Sequence, residues 1–420
     1  MALEALLAQV PVVVVAGPPG SGRSRLVRAI EPPPLVIDEL PARPAAAAVL
    51  AAWLAAQLAG SWRSWRQGPR LVVVVAVTGG PVLEVLRHRL GWRLAVLTLR
   101  GPCADDRRPA SRGGPLAPDP LRVAQALLQP ALPGLWGTTR QEQRAWLRQR
   151  LAAGGLNDGR LHGLLPLLAA SSGEPLARAA LARATRLSPA TLSAWLRQLE
   201  HLGLVIRLDP WPLREAASHP PQRPPMPRRR LGRRPTWYLA DAALQALLLD
   251  LEEPADLLAS EHLERIWRTR LVQELVTLLG AAGLDPTGGA STGAAGGGSP
   301  GAAAGVSPGG WAVRVCSWSE QRRTLPLLME IEGRYWLADS LFQSNPDWRH
   351  GRRLRRVAAT LPAGRLMALT LVCPCAAPRV LDVAEIAARA ALPADQRRPL
   401  LTVAPLSRLS EAWPVLQLLA

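Results

Sequence analysis

The chain opens with short, uninterrupted apolar runs and changes to helical spacing only further on. Val12 to Ala16 is a β-branched run with no polar interruption, the pattern of a strand buried on both faces of a parallel sheet. Gly17 to Gly22 reads as a turn, and Ser24 to Ile30 as a short helix stopped by Pro32, Pro33 and Pro34. Leu35 to Ile37 predicts a second strand that ends in Asp38-Glu39, Ala46 to Leu58 a helix, Leu71 to Val77 a third strand and Leu94 to Leu99 a fourth. Together these predict a small α/β sheet ending near residue 100. The link from the glycine turn to Asp38 is short for this architecture, which implies that a peripheral strand and helix are missing.

From Pro120 to Gly154 the pattern turns helical, most clearly over Gln141 to Ala152, and Leu161 to Ala170 begins a new helical unit. Ala177 to Thr185 and Ala190 to Leu202 are two helices meeting at Leu187-Ser188-Pro189, with Ser188 as N-cap and Pro189 at the first helical position. Leu181, Leu187, Leu192, Leu196 and Leu199 have the spacing that buries one face of each. Gly203 ends the second helix, Leu204 to Leu208 is a strand, and Trp237 to Leu239 resumes as another after the Pro- and Arg-rich stretch Pro212 to Pro235. Helices follow over Ala242 to Asp250 and His262 to Gly280. Gly288 to Gly310 is a Gly/Ala/Ser/Pro tract without periodicity, the composition of a flexible linker. Beyond it, strands near Ala312 to Cys316, Leu325 to Ile331, Tyr335 to Ala338 and Ala368 to Val372, with a helix over Ala384 to Ala391, predict an α/β tail.

At 420 residues the chain implies two to four units. Its net charge of +18 comes entirely from arginine, since the sequence contains no lysine. An arginine-only, Ala/Pro/Gly-rich composition follows from GC-rich coding, so net charge by itself says little about nucleic acid as a partner. Four cysteines, Cys103, Cys316, Cys373 and Cys375, are too sparse for a disulfide framework. No run has the length and hydrophobicity of a membrane span, and a reduced, cytoplasmic protein is expected.

The glycine turn carries the sharpest chemistry. Gly17-Pro18-Pro19-Gly20-Ser21-Gly22-Arg23-Ser24, followed by Arg25, fits the phosphate-loop pattern at every defining position except the lysine, which is Arg23. Successive N–H groups in such a turn make a concavity for phosphate oxygens between a strand and a helix. In that reading the cofactors are ATP and Mg2+. Ser24 places its hydroxyl on the ion, and Asp38, expected on the neighbouring strand, holds it through its hydration shell. Glu39 orients or deprotonates the attacking water, and Thr78 in Val77-Thr78-Gly79 contacts the γ-phosphate or that water. A planar guanidinium at Arg23 does not replace a lysine ammonium in a phosphate cradle, so binding is expected to outlast hydrolysis.

In their order these pieces resemble a prokaryotic family of AAA-type ATP-binding proteins that carry a winged helix and a restriction-endonuclease-like tail. Leu35-Val36-Ile37-Asp38-Glu39 resembles that family's hydrophobic strand ending in Asp-Glu, and Val77-Thr78-Gly79-Gly80 its Leu-Thr-Gly-Ser. Gly91-Trp92-Arg93 before Leu94 is similar to its Gly-Arg segment. Leu187-Ser188-Pro189-Ala190-Thr191 and Leu199-Glu200-His201-Leu202-Gly203-Leu204-Val205 resemble its winged-helix signature. Arg234-Pro235-Thr236-Trp237-Tyr238-Leu239-Ala240-Asp241 resembles its aromatic strand, and Glu261 the Glu opening its next helix. The resemblance implies an AAA-like domain over 1–115, a helical lid-like region over 116–160, a winged helix over 161–213, and a basic loop with helical connector over 214–280. A linker over 281–311 and a degenerate nuclease-like domain over 312–420 complete it.

Where that family's tail has Glu-Val-Asp and Glu-x-Lys, this chain has Thr324-Leu325-Pro326 and Asp339-Ser340-Leu341. Glu330 and Asp339 remain as weak metal candidates, and the tail is expected to serve packing rather than cleavage. The expected function is an ATP-binding, weakly hydrolysing switch coupled to the winged helix. DNA, met through the winged helix and the basic loop, and a protein partner are both open; Thr191, Ser193, Ala194, Arg197 and Gln198 are the solvent-side positions of the second helix. The rival reading is a nucleotide-independent DNA-binding or scaffold protein with decayed ATPase and nuclease sites.

Overall fold

The computed structural model describes residues 2–30, 34–40, 44–57, 71–75, 81–90, 93–99, 119–211, 234–281, 305–306, 312–320, 323–331, 333–361, 363–375, 379–381 and 401–406. Its first layer is a parallel sheet of β1 (Val12–Ala16), β2 (Leu35–Leu40), β3 (Leu71–Val75) and β4 (Leu94–Thr98), in the order β2-β3-β1-β4. Every residue of β1 and β3 is buried, as the unbroken valine runs predict. Alternate side chains serve opposite faces. Val12, Val14, Ala16, Val73 and Val75 pack with α3 (Pro44–Gln57) and α4 (Pro81–Leu90), while Val13, Val15, Val72 and Val74 pack with α1 (Ala2–Gln9) and α2 (Arg23–Arg28). Contrary to the expectation from sequence, Asp38 does not lie on the strand next to the glycine loop. β2 pairs with β3, and β3 stands between it and β1.

The middle of the chain is helical. It comprises α5 (Pro120–Leu128), a 3-10 turn at Pro133–Leu135, α6 (Arg140–Ala153), α7 (Arg160–Ala170), α8 (Arg178–Thr185) and α9 (Pro189–His201). Ser188 caps α9 by accepting from the Thr191 amide at 3.0 Å, with Pro189 at the first helical position. Leu181, Leu187, Leu192, Leu196 and Leu199 are all buried in one cluster. The antiparallel ribbon β5 (Val205–Pro210) and β6 (Thr236–Leu239) follows, and 212–233 lie outside the described residues. Next come α10 (Ala242–Leu248), α11 (Pro254–Ala259) and α12 (Leu263–Ala281).

The tail contributes β7 (Gly305–Val306), β8 (Ala312–Glu320), β9 (Arg323–Ile331), β10 (Arg334–Ser340), α13 (Arg352–Ala358), β11 (Leu366–Val372), β12 (Arg379–Val380) and β13 (Leu401–Ala404). It is not a separate sheet. Asp209 and Pro210 at the end of β5 pair with Cys316 and Ser317 of β8, which joins ribbon and tail into one nine-stranded sheet. Gly305 and Val306, inside the expected linker, pair with Val313 and Ala312. The helix expected over 384–391 lies outside the described residues. No described helix is long and apolar enough to cross a membrane.

Helix α12 ties the two sheets together. Near its start Trp267 donates its indole N–H to the Val372 carbonyl at 3.1 Å; at its end a side chain on Gly280 would meet the Thr98 carbonyl of β4 at 2.5 Å. Gly280→Ala is therefore expected to cost about 1–3 kcal/mol through overpacking. Gly163→Ala in α7, where the added methyl meets nothing within 4 Å, should be neutral or stabilising by up to about 1 kcal/mol. Urea denaturation of both variants checks the contrast, and equal stabilities would show that α12 does not lean on β4 at this point.

Candidate functional site

The glycine turn leaves the carboxyl end of β1, between β3 and β4, the end at which open parallel sheets present ligands. Its first residue is fixed by packing: a Cβ on Gly17 would lie 2.4 Å from the Leu99 carbonyl and 2.8 Å from Ser21 Oγ. Gly17 N–H donates to the Val75 carbonyl and Ser21 N–H to the Pro18 carbonyl, each at 3.2 Å, which closes the turn. Gly20 and Gly22 then take left-handed conformations, with φ of 86° and 92°, on either side of Ser21. Among the described residues, the N–H groups of Gly20, Gly22 and Ser24 meet no acceptor. Ser21 Oγ is buried and lacks a hydrogen-bond partner there as well. A Cβ on Gly22 would meet nothing within 4 Å, so one side of the loop is open space.

The loop also touches the helical region that follows the sheet. Gly134 in the 3-10 turn donates its N–H to the Gly20 carbonyl at 3.2 Å, and the two glycines meet backbone to backbone. Buried Pro18 lines an apolar cleft with Ala131, Leu132, Gln143, Trp146 and Asp241. Asp241 fixes the far wall, accepting from the Ala131 amide at 2.7 Å and capping α10 at the Ala243 amide. The cleft thus lies where the glycine loop, the segment 130–146 and the start of α10 meet.

Arg23 is buried at the first position of α2, and Arg150, buried on α6, lies close enough to feel its charge. Burial, and then the repulsion of Arg23, pull the Arg150 guanidinium down to about 10. Arg150 also donates to the Leu202 carbonyl at 3.0 Å, linking the loop's surroundings to the end of α9. Arg150 was not among the expected site residues. A signal for it was present: Gln143, Leu147, Arg150 and Leu151 share the buried face of α6, which sets an arginine on an apolar stripe.

The other expected residues are less gathered. Ser24 is half-buried and Arg25 exposed on α2, and Pro19 is half-buried. Asp38 and Glu39 form a β-bulge, where the register slips between Ile37 and Leu40; their side chains lie outside the described residues. With β3 intervening, their backbone stands about 10 Å from that of β1. Thr78 lies outside the described residues.

On α9 the expected solvent positions are partly engaged. Gln198 donates to the Gly154 carbonyl at 3.0 Å, Thr191 and Ser188 hydroxyls hydrogen-bond each other at 2.8 Å, and Arg160 sits over the Trp195 ring. Ala194 and Arg197 remain exposed. In the tail the reading of Glu330 and Asp339 as a weak metal pair is overturned. Tyr335, not Asp339, lies across from Glu330, and the four residues onward to Asp339 amount to about 13 Å. Asp339 is instead held by Arg353, whose Nε and Nη2 donate to its two oxygens at 2.7–3.0 Å. Among the described residues no three His, Cys, Asp or Glu side chains come together as a metal group.

No protein-family model matches the chain, and no curated protein matches it significantly. A crystal structure of protein VC1899 from Vibrio cholerae aligns over 96% of this chain and 96% of that one, at 11% identity and a TM-score of 0.18. A likeness that slight carries no conclusion about fold or activity.

The Arg353–Asp339 pair should behave as a structural latch. Arg353→Leu leaves a buried carboxylate without its fork and is expected to cost about 3 kcal/mol. Adding Asp339→Asn to that variant should recover more than half of the loss, measured by thermal denaturation. A double variant no more stable than Arg353→Leu would refute the latch.

Proposed function

We propose that this chain is an ATP-binding protein in which the Gly17–Ser24 loop receives the polyphosphate and the bound state acts as a switch on the neighbouring helices. The observation that carries this reading is the set of acceptor-less N–H groups on Gly20, Gly22 and Ser24, in a turn of alternating hand at the end of a central parallel strand. Main-chain donors in such a turn suit oxyanions, and the buried Ser21 hydroxyl adds another donor. The residues present therefore fit a polyphosphate.

ATP would supply a phosphoanhydride, and Mg2+ would spread its charge. The Ser24 hydroxyl and the Asp38 carboxylate are the groups proposed to hold the ion; the strand between them favours contact by Asp38 through water over direct coordination. Glu39 beside it is proposed to orient the attacking water, and Thr78 to contact the terminal phosphate. Arg23 and Arg150 stabilise negative charge between them, because an anion there relieves the repulsion that depresses Arg150. Two wide guanidinium forks hold phosphate oxygens well and adjust poorly to a transferring group, which favours binding with slow hydrolysis. Transmission follows from contacts: Gly134 rests on Gly20, and the cleft beside Pro18 is walled by Gly203, Leu204 and Asp241. Displacement of the loop is thereby passed to α6, to α10 and to the junction of α9 with β5.

Titration with a fluorescent ATP analogue, with and without Mg2+, tests the reading. Saturable binding is expected for the native sequence. Gly22→Trp and Arg150→Met should each weaken it about tenfold or more, consistent with the loss of charge-assisted contacts, and Asp38→Ala should abolish the benefit of Mg2+. Equal binding by all four proteins, each verified as folded, would reject the assignment. Arg23→Lys is expected to raise turnover, and its failure to do so would remove Arg23 as the brake on hydrolysis.

A further inference from the structure

Several arginines of the helical region and the tail are neutralised where they stand. Arg144, Arg160, Arg207, Arg265 and Arg353 each hold a carboxylate at 2.6–2.7 Å. Arg178, Arg183 and Arg234 differ: among the described residues none of the three guanidinium groups has an ion-pair or hydrogen-bond partner. All three line one open groove of about 560 Å3, together with Leu176, Ala180 and Pro235.

The fold explains how they converge. Pro175, just before α8, forms an isolated antiparallel bridge with Thr236 of β6. Extending that register brings Arg234 alongside Ala177, at the start of the helix that carries Arg178 and Arg183. Among the described residues no acid lines the groove, and nearby Glu174 is already bound by Arg265 at 2.7 Å.

We infer that this groove is a docking site for the phosphate backbone of duplex DNA, bound without regard to base sequence. Three exposed guanidiniums line one surface with no described acid among them, and phosphates bound there would pair with them while releasing counterions. Among the described residues the groove carries no aromatic side chain, which disfavours single strands held by base stacking. It also lacks an enclosed apolar pocket of the kind that anchors an acidic protein segment. Base reading is weak because α9 exposes Ala190, Ala194 and Arg197, while Gln198 and Trp195 are engaged within the chain. The surface stands apart from the glycine loop, and this inference does not depend on nucleotide binding.

Fluorescence anisotropy with labelled duplexes of about 20 base pairs, two helical turns, tests it on the full chain. Duplexes of unrelated sequence should bind with similar affinity, and affinity should fall steeply with salt. The triple variant Arg178→Ala, Arg183→Ala, Arg234→Ala should bind about tenfold or more weakly at low salt. Its salt slope should become shallower by about one for each phosphate that is no longer neutralised. The triple variant Arg144→Ala, Arg160→Ala, Arg207→Ala, which removes the same charge from paired positions, should weaken binding far less. The inference fails if the native chain does not bind duplex, or if the two triple variants, with unchanged melting temperatures, behave alike. It also fails if a single strand of equal length binds more tightly, or if polyglutamate at equal charge displaces the duplex.

Discussion

The structure depends on a single helix that is almost wholly buried beyond its first turn. α12 is 19 residues long and places Ile266, Leu271, Val272, Leu275, Val276 and Leu279 in the interior. Its polar residues are buried too. Thr269 hydrogen-bonds Ser172, Gln273 accepts from the Ala242 amide, and Arg270 faces Glu274 one turn on at 3.6 Å. An element of this kind cannot be moved without exposing apolar surface and breaking polar contacts together, which makes it the rigid reference for everything attached. Glu264 at one end accepts from the Phe342 amide of the tail, and Gly280 at the other abuts β4. The glycine loop and the tail sheet are thus registered against the same rod.

That arrangement separates parts that can shift from parts that cannot. β1 is fixed between β3 and β4, and Gly17 is pinned by the Leu99 carbonyl. The contacts beyond Gly17 are slighter: one main-chain hydrogen bond joins Gly20 to Gly134, and an apolar cleft opens beside Pro18. A displacement of the loop, as proposed above, would therefore meet fewer contacts toward 130–150 than toward the sheet. Arg150 reaches from this region to the Leu202 carbonyl at the end of α9, so α6 connects the loop to the helical pair by one side chain.

Local elements were legible where one physical cause dominated. The valine runs of β1 and β3 declare burial on both faces, and Ser188-Pro189 declares a helix start, because the residues that cause these features adjoin them in the chain. α4 was equally readable, with Pro81 at its first position and Val82, Leu83, Leu86 and Leu90 at helical spacing, yet it was not among the expectations. What local pattern does not encode is pairing at a distance. Asp209 against Cys316 merges ribbon and tail into one sheet, and β3 inserts between the glycine-loop strand and the acidic strand. Both depend on competition among strands of similar apolar character. At the candidate site the glycine turn was legible from its spacing, whereas Gly134 and Arg150 come from segments over a hundred residues away and carry no motif of their own.

The absence of lysine shapes what such a site can do. Arg150 is buried, stands beside a second buried guanidinium, and is pulled down only to about 10, so it stays charged at neutral pH. A lysine in that place has a lower starting pKa and a localised charge that burial penalises more, and it escapes by losing its proton. Arginine has no such escape near neutrality. An anion brought near it would be answered by movement of the guanidinium or of the backbone that carries it. Since Arg150 is bound to the end of α9 and Arg23 stands at the start of α2, an anion held between them, as proposed, would act on both elements at once.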